Sequence, residues 1–287
     1  MQSPIPPKRE LNFSRRRDTK IVLQKLSPQE NTSLGLTVGF IDTSSTQWML
    51  YCKNASQQRL PMTLNLRVLY RGYFANLANL CIKRSLCMPI AAGITNTITG
   101  GSARRLTDGE QFAAAIGAGF VSSFVVSPVE LVMIQQQRFG TTLVDTPFAL
   151  SKAHGPAVFG RAIALTCGRE SVYTAGLLGL GPSIRRYLQE DFGASSTVAG
   201  VGGAVIAGVV CATLSHPLDT VKTCMQGDVQ GLKYQSAAQT SMELYRQGGL
   251  PRIFSGWGWR TSRTVLQVFL VDKCRQMLCP LMFPHHY

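Results

Sequence analysis

The stretch HPLDTVKTCMQ, residues 216–226, sets Pro217, Asp219, Lys222 and Gln226 at relative positions 0, +2, +5 and +9. SPVELVMIQQQ, residues 127–137, puts Pro128, Glu130, Met133 and Gln137 in the same places. QWMLYCKNASQ, residues 47–57, is a third and weaker copy, with Trp48, Leu50, Lys53 and Gln57 in register. The anchors at 48, 128 and 217 lie 80 and 89 residues apart, so the chain reads as tandem units. The upstream residues agree. Gly39, Gly119 and Gly208 stand nine residues before the anchors, and Gly35, Ala115 and Ala204 thirteen before. Each pair has the small-xxx-small spacing that lets membrane helices approach closely. Chance explains one such pair but hardly three in register.

Downstream, each copy has a second helix start. LYRG ends at Gly72, IFSG ends at Gly256, and FGRA places Ala162 at the corresponding position. Apolar segments follow at about 71–97, 159–187 and 257–283, and the anchored helices cover about 33–57, 109–137 and 196–226. That makes six, each long enough for a hydrocarbon core of ~30 Å at 1.5 Å per residue.

Composition fits this reading. Hydrophobic residues make up 45% of the 287 and the mean hydropathy is +0.08, too high for an ordinary soluble surface. No stretch is a clean 20-residue apolar span. Apolar segments broken by small residues and occasional charges suit helices that bury one face in a bundle and line a wet cavity with the other. A soluble helical protein is the plainer alternative from composition alone. Lys and Arg number 29 against 15 Asp and Glu, which points to anionic lipid, anionic solutes or nucleic acid. Nucleic acid is set aside, because the positive charge is scattered and carries no aromatic-basic motif. The eight cysteines form no CxxC pair and mostly sit in apolar segments, as buried free thiols do. The N-terminal MQSPIPPKRELNFSRRRDTK is basic without an apolar core, so it is not a secretory signal and reads as a solvated tail over residues 1–32, a weak mitochondrial targeting segment being the alternative.

The repeated Pro-x-Asp/Glu-x-x-Lys/Arg run resembles the signature of the mitochondrial carrier family over residues 33–283. The resemblance implies an all-α membrane protein: six transmembrane helices in three pseudo-symmetric two-helix repeats around a central cavity. The single carrier domain would span 33–287, with repeats at about 33–100, 101–192 and 193–283. It implies that Pro128 and Pro217 kink their helices near the matrix side. It also implies that the acid of one repeat pairs with the base of the next to close that side. Here the pairs would be Glu130 with Lys222 and Asp219 with Lys53. At the third place both members are apolar, Leu50 and Met133. Replacing a whole pair strands no buried charge, whose cost is about 3–5 kcal/mol. A two-pair matrix gate is therefore coherent, independent drift of Leu50 and Met133 being the alternative. Gln57, Gln137 and Gln226 match the glutamines that brace the family's network, although each is also a reasonable polar residue at a helix end. The family's second gate, on the even helices, is not recovered; Asp272 and Arg275 have its mutual spacing about one turn early.

Carried over from the resemblance, the cavity-facing positions seven residues after the even-helix glycine are Asn79, Arg169 with its neighbour Glu170, and Arg263. Asn76 and Lys83 share the helix face of Asn79. Arg169-Glu170 resembles the Arg-acid pair of the family's amino-acid carriers: a guanidinium takes a carboxylate bidentately and a carboxylate takes an ammonium. Lys83, Arg169 and Arg263 against Glu170 leave two positive charges, favouring an anionic or zwitterionic solute. Nucleotides fit less well, since the aliphatic pair of those carriers is absent. Structural alternatives exist for each: Lys83 as a snorkelling side chain, Glu170 as a fixed partner of Arg263, Arg260 as an anchor of the helix entrance.

The expected function is transport of small carboxylates or amino acids across the mitochondrial inner membrane by alternating access. A non-transporting carrier-like protein with an interaction role is the alternative. An enzyme is a distant third: His154, His216, His285 and His286 form no ligand cluster, no metal site or cofactor is expected, and there is no Walker motif. The resemblance further implies a monomer in contact with anionic, cardiolipin-like lipid.

Overall fold

The computed structural model describes residues 27–101, 104 and 106–286, and every regular element among them is helical. Most of the basic tail therefore lies outside the described residues. Its far end does not: helix α1 runs Pro28–Gln58, starting five residues before the expected 33. The reason is a local cap. Ser27 accepts from the Glu30 amide at 3.3 Å, and Glu30 accepts from the Ser27 amide at 2.8 Å. This reciprocal box with proline at the first helical position starts a helix without help from the apolar run.

The remaining helices follow the repeat. Helix α2 spans Tyr73–Thr99 and α3 spans Asp108–Phe139. A short α4, Asp145–His154, leads to α5, Ile163–Ala175, which continues through a π-helical turn into α6, Gly181–Glu190. Then come α7, Ser196–Leu214, α8, His216–Gly227, α9, Ala237–Ile253, and α10, Trp257–Met282. Two units are compact. In the first, residues up to Asp42 and from Phe269 onward, Leu34 and Val38 bury together with Cys279 and Phe283. The second, Thr43–Val268, holds every group discussed below unless stated.

Three described helical stretches are apolar and long enough to cross a membrane: Leu66–Thr99, Gly109–Phe139 and Ser196–Leu214. The others give up hydropathy for buried polar groups. Within the second unit, α1 alone buries Thr43, Thr46, Gln47, Lys53, Asn54 and Gln57.

The three anchors behave differently. At Pro217 the chain breaks, with Ser215 ending α7 and the proline in the first turn of α8. Pro128 lies inside α3, which continues to Phe139. Trp48 keeps its N–H, and α1 runs through it unbroken; its indole packs edge-on against Trp259 at 5.7 Å.

The register of the second copy is visible in the backbone. Gly72 and Gly256 precede α2 and α10 in the left-handed conformation, at φ 74° and 81°, and Ala162 does the same before α5 at φ 60°. A non-glycine residue pays about 1–2 kcal/mol there. We expect Ala162→Gly to raise the thermal midpoint of the detergent-solubilised protein, by about 0.5–1 kcal/mol after allowing for the freer unfolded chain. Gly72→Ala should do the opposite, because its Cβ would also lie 3.0 Å from the Met133 carbonyl oxygen.

The π-turn has a sequence cause. Pro182 has no N–H to offer the Leu178 carbonyl, and Gln111 Nε2 donates to it instead at 2.7 Å. The small residues let helices touch. A Cβ on Gly119 would fall 2.6 Å from the Glu170 carbonyl oxygen, and one on Gly208 would fall 2.7 Å from the Thr264 methyl. Along α7 a second stripe, Ala199, Gly203, Ala207 and Cys211, is buried too, with Gly203 close to Gly181 and Arg185. We expect Gly119→Val to prevent α3 and α5 from seating and to abolish monodisperse recovery in detergent.

The loop after α8 is tied by Asp228, whose carboxylate accepts from the amides of Leu232, Lys233 and Tyr234 at 3.3, 2.7 and 2.8 Å. Partial burial opposes its charge, but these bonds and the nearby Arg161 hold the carboxyl below its ordinary range. All eight cysteines are free thiols, five of them buried.

Candidate functional site

The C-terminal half of α1, that of α3, and α8 carry the charged positions of the repeat, and the fold brings them together. Lys53 Nζ donates to Asp219 Oδ2 at 2.6 Å. Lys222 Nζ donates to Glu130 Oε2. At the third position Leu50 and Met133 share one buried cluster with Ala75, Val132 and Ile134. An apolar cluster therefore stands where a charge pair would.

The three glutamines are fully buried but act differently. Gln57 Nε2 donates to Asp219 Oδ2 at 3.0 Å and to Thr220 at 3.1 Å, so it braces an ion pair directly. Gln137 has no pair to brace and accepts from Asn54 Nδ2 at 2.6 Å. Gln226 reaches Ser127 and the Arg161 carbonyl at 3.4–3.5 Å and touches no charge. The shared sequence position thus corresponds to three different partner sets.

Helices α2 and α5 add their charges to the same cluster. Arg169 Nη2 lies 2.7 Å from both Glu130 oxygens and 2.5 Å from Glu170 Oε1, while its Nε lies 3.6 Å from Asp219 Oδ1. Lys83 Nζ donates to Glu170 at 2.6 Å and to Glu130 at 3.3 Å. Asn79 Nδ2 is 3.4 Å from Glu130 Oε1. Glu130 is thus the acceptor for four side chains. Arg263 Nε donates to Thr46 Oγ1 at 3.3 Å. Asn76, on the face of Asn79, donates to Gln47 at 2.8 Å.

Arg260 belongs to the cluster although its position suggested only a helix anchor. Its Nη2 donates to Ser215 at 2.7 Å and its Nη1 lies 3.6 Å from Asp219. A signal was available. Asn76, Thr166 and Arg260 each stand four residues after the left-handed residue, and reach Gln47 of α1, Ser127 of α3 and Ser215 at the end of α7 respectively. His216 is not a ligand; its Nε2 meets the Ser255 carbonyl and its ring stacks on Phe254. In the first unit, Asp272 accepts from Gln276 at 2.6 Å. No cluster of metal-type ligands occurs among the described residues.

Five cations, Lys53, Lys83, Arg169, Lys222 and Arg260, thus meet three carboxylates, Glu130, Glu170 and Asp219. Two positive charges are in excess. Most of these side chains are almost fully buried, whereas that of Lys83 is 31% exposed and offers an approach. Two guanidinium atoms, Arg169 Nε and Arg260 Nη1, have no hydrogen-bond acceptor, and Asn79 Oδ1 has no donor. Such a cluster holds anions well, with a neighbouring acceptor for an ammonium.

Helix pairs in tandem, apolar spans and a buried polar network between them define an all-helical membrane protein built from repeats. Residues 193–280 match the family model for mitochondrial carrier protein. Among curated relatives, a mitochondrial carnitine/acylcarnitine carrier-like protein of Arabidopsis thaliana is 23% identical over 69% of this chain and 73% of its own length. The mitochondrial dicarboxylate/tricarboxylate transporter of the same plant is 28% identical over 49% of this chain and 52% of its own. A mitochondrial dicarboxylate carrier of Caenorhabditis elegans is 25% identical over 56% of this chain and 59% of its own. Several of the relatives are thus spanned over only about half their length. The chain is thus similar to proteins of the mitochondrial carrier family.

Proposed function

We propose that the protein carries small carboxylates, amino acids among them, across the mitochondrial inner membrane by alternating access. The buried excess of cations supports this most directly. Charge in the middle of membrane helices is costly and marks solute pathways. The anion that would balance Lys83, Arg169 and Arg260 is a carboxylate of the solute. In this reading Arg169 and Arg263 take carboxylate oxygens, Lys83 draws the anion in, and Glu170 with Asn79 receives an ammonium when there is one. The names of the relatives point to the same chemistry, since two of them carry dicarboxylates.

Lys53–Asp219 and Lys222–Glu130 join α1, α3 and α8 and close the matrix side, with Leu50 against Met133 as the third contact. Gln57 lends its amide to the first pair. Solute gradients supply the energy, and no nucleotide is consumed. An anionic, cardiolipin-like lipid surrounds the carrier, which works as a monomer. A non-transporting role leaves the excess positive charge uncompensated and is the weaker reading.

Uptake by proteoliposomes of radiolabelled malate, 2-oxoglutarate and a panel of amino acids tests the proposal. Saturable uptake of at least one above protein-free liposomes is expected; uptake of none rejects it. In the same assay Arg263→Ala should raise KM for the transported acid by about tenfold, the value of one charged hydrogen bond. Unchanged transport would remove Arg263 from the site.

A further inference from the structure

The Arg169 guanidinium touches more than a binding residue needs to. It meets Glu130 of α3, Glu170 of its own helix and, through Nε, Asp219 of α8. Glu130 and Asp219 are the two acids of the ion pairs that join α1, α3 and α8, and at the third place Leu50 and Met133 share an apolar cluster. One side chain of α5 therefore links both pairs.

We propose that Arg169 is the third strut of the matrix-side closure, standing in for the missing ion pair, so that an incoming carboxylate must take this guanidinium from Glu130 and Asp219. Binding and release are then one event. The proposal rests on the transport reading for its second half. Its first half, the strut, does not need transport. The physical basis is the geometry of the fork. A guanidinium offers several N–H groups in one plane and spans two carboxylates, whereas an ammonium is a point donor. A solute carboxylate competes for the Nη2 donors held by Glu130 and takes up the Nε–H, which faces Asp219 at 3.6 Å without a hydrogen bond, and either step loosens the link between α3 and α8. Glu130 keeps Lys222 and Asp219 keeps Lys53, so no acid is stranded when Arg169 leaves.

The test restores the missing pair. Thermal midpoints of purified protein are compared for wild type, Arg169→Gln, the pair Leu50→Asp with Met133→Lys, and all three substitutions together. A strut predicts non-additivity: the new pair changes wild type little but recovers more than half of the midpoint lost in Arg169→Gln. Arg169→Lys should fall near Arg169→Gln, because one nitrogen cannot stand in both for Nη2 against Glu130 and for Nε against Asp219. Proteoliposomes holding a chloride-quenched dye supply the second measurement. Arg169→Gln should leak chloride several-fold faster than wild type, and the added pair should bring the leak back. Malate or 2-oxoglutarate exchange should stay lost in the triple variant, because the added pair offers the solute nothing. Additive midpoints, or a leak in Arg169→Gln no faster than wild type, would overturn the strut. Absence of any solute uptake by wild type alongside non-additive midpoints would reject the transport reading alone.

Discussion

Glu130→Gln should be the most damaging conservative substitution in the chain, destabilising the folded protein by about 3–5 kcal/mol and cutting uptake at least about tenfold. Glu130 is the acceptor for Lys222, Arg169, Lys83 and Asn79. Removing its charge turns a cluster of five cations and three acids into five and two, inside a region from which water is mostly excluded. The neutral amide offers one oxygen where two took hydrogen bonds, and its NH₂ faces donors. Lys222 suffers most, since Glu130 is the carboxylate it pairs with. Arg169 retains Glu170 and Lys83 retains Glu170.

That difference supplies the control. Glu130→Gln with Lys222→Met removes the stranded ammonium as well and should recover a substantial part of the stability, although the closure then has one ion pair. Thermal unfolding in detergent measures it. If Glu130→Gln and the double variant unfold at the same temperature, the stranded charge is not the cause. Asp219→Asn should be less severe: Lys53 loses the carboxylate it pairs with, but Arg169 and Arg260 lie at 3.6 Å from Asp219 and lose less.

How far the sequence goes is seen best in the repeat. Periodic anchors and small residues locate helices to within a few residues, because both follow from helix geometry and are local. Ala162 was legible as the counterpart of Gly72 and Gly256 despite its side chain, and its φ of 60° shows why the position matters more than the residue type. Pairing between repeats was legible only through the family resemblance. Nothing local states that Lys53 faces Asp219 or that Lys222 faces Glu130. The start of α1 at Pro28 was missed because a cap, and no apolar run, decides it. Arg260 and the reach of Arg169 to both acids were missed for another reason. A helical offset names the face a side chain leaves from, but long side chains choose among several acceptors by tertiary geometry. The glutamines make the same point: one offset, three sets of partners.

Leu50→Asp alone should approach the cost of Glu130→Gln, and Leu50→Asp with Met133→Lys should return most of it. Leu50 is buried against Ala75, Val132, Met133 and Ile134, so a lone carboxylate there has apolar neighbours and no cation among them. A buried charge without a partner costs several kcal/mol, about 3–5 by analogy with broken pairs. Lysine at 133 comes from the adjoining helix in the same cluster, and its ammonium meets the new acid as Lys53 meets Asp219. The Met133 carbonyl already packs against Gly72, so the longer side chain has to turn away from that backbone and toward α1. Both members being apolar in this chain is then a joint state rather than two separate losses: single changes in either direction are penalised, and the double change crosses between two stable closures. Thermal midpoints of the two singles and the double decide the matter. Equal damage in Leu50→Asp and in the double variant would show that the two positions do not face each other in the working protein. In uptake, the double variant should keep its KM, because no solute contact has changed. Its kcat should fall, because three ion pairs and the Arg169 bridge hold the matrix side more tightly than two pairs and an apolar contact do.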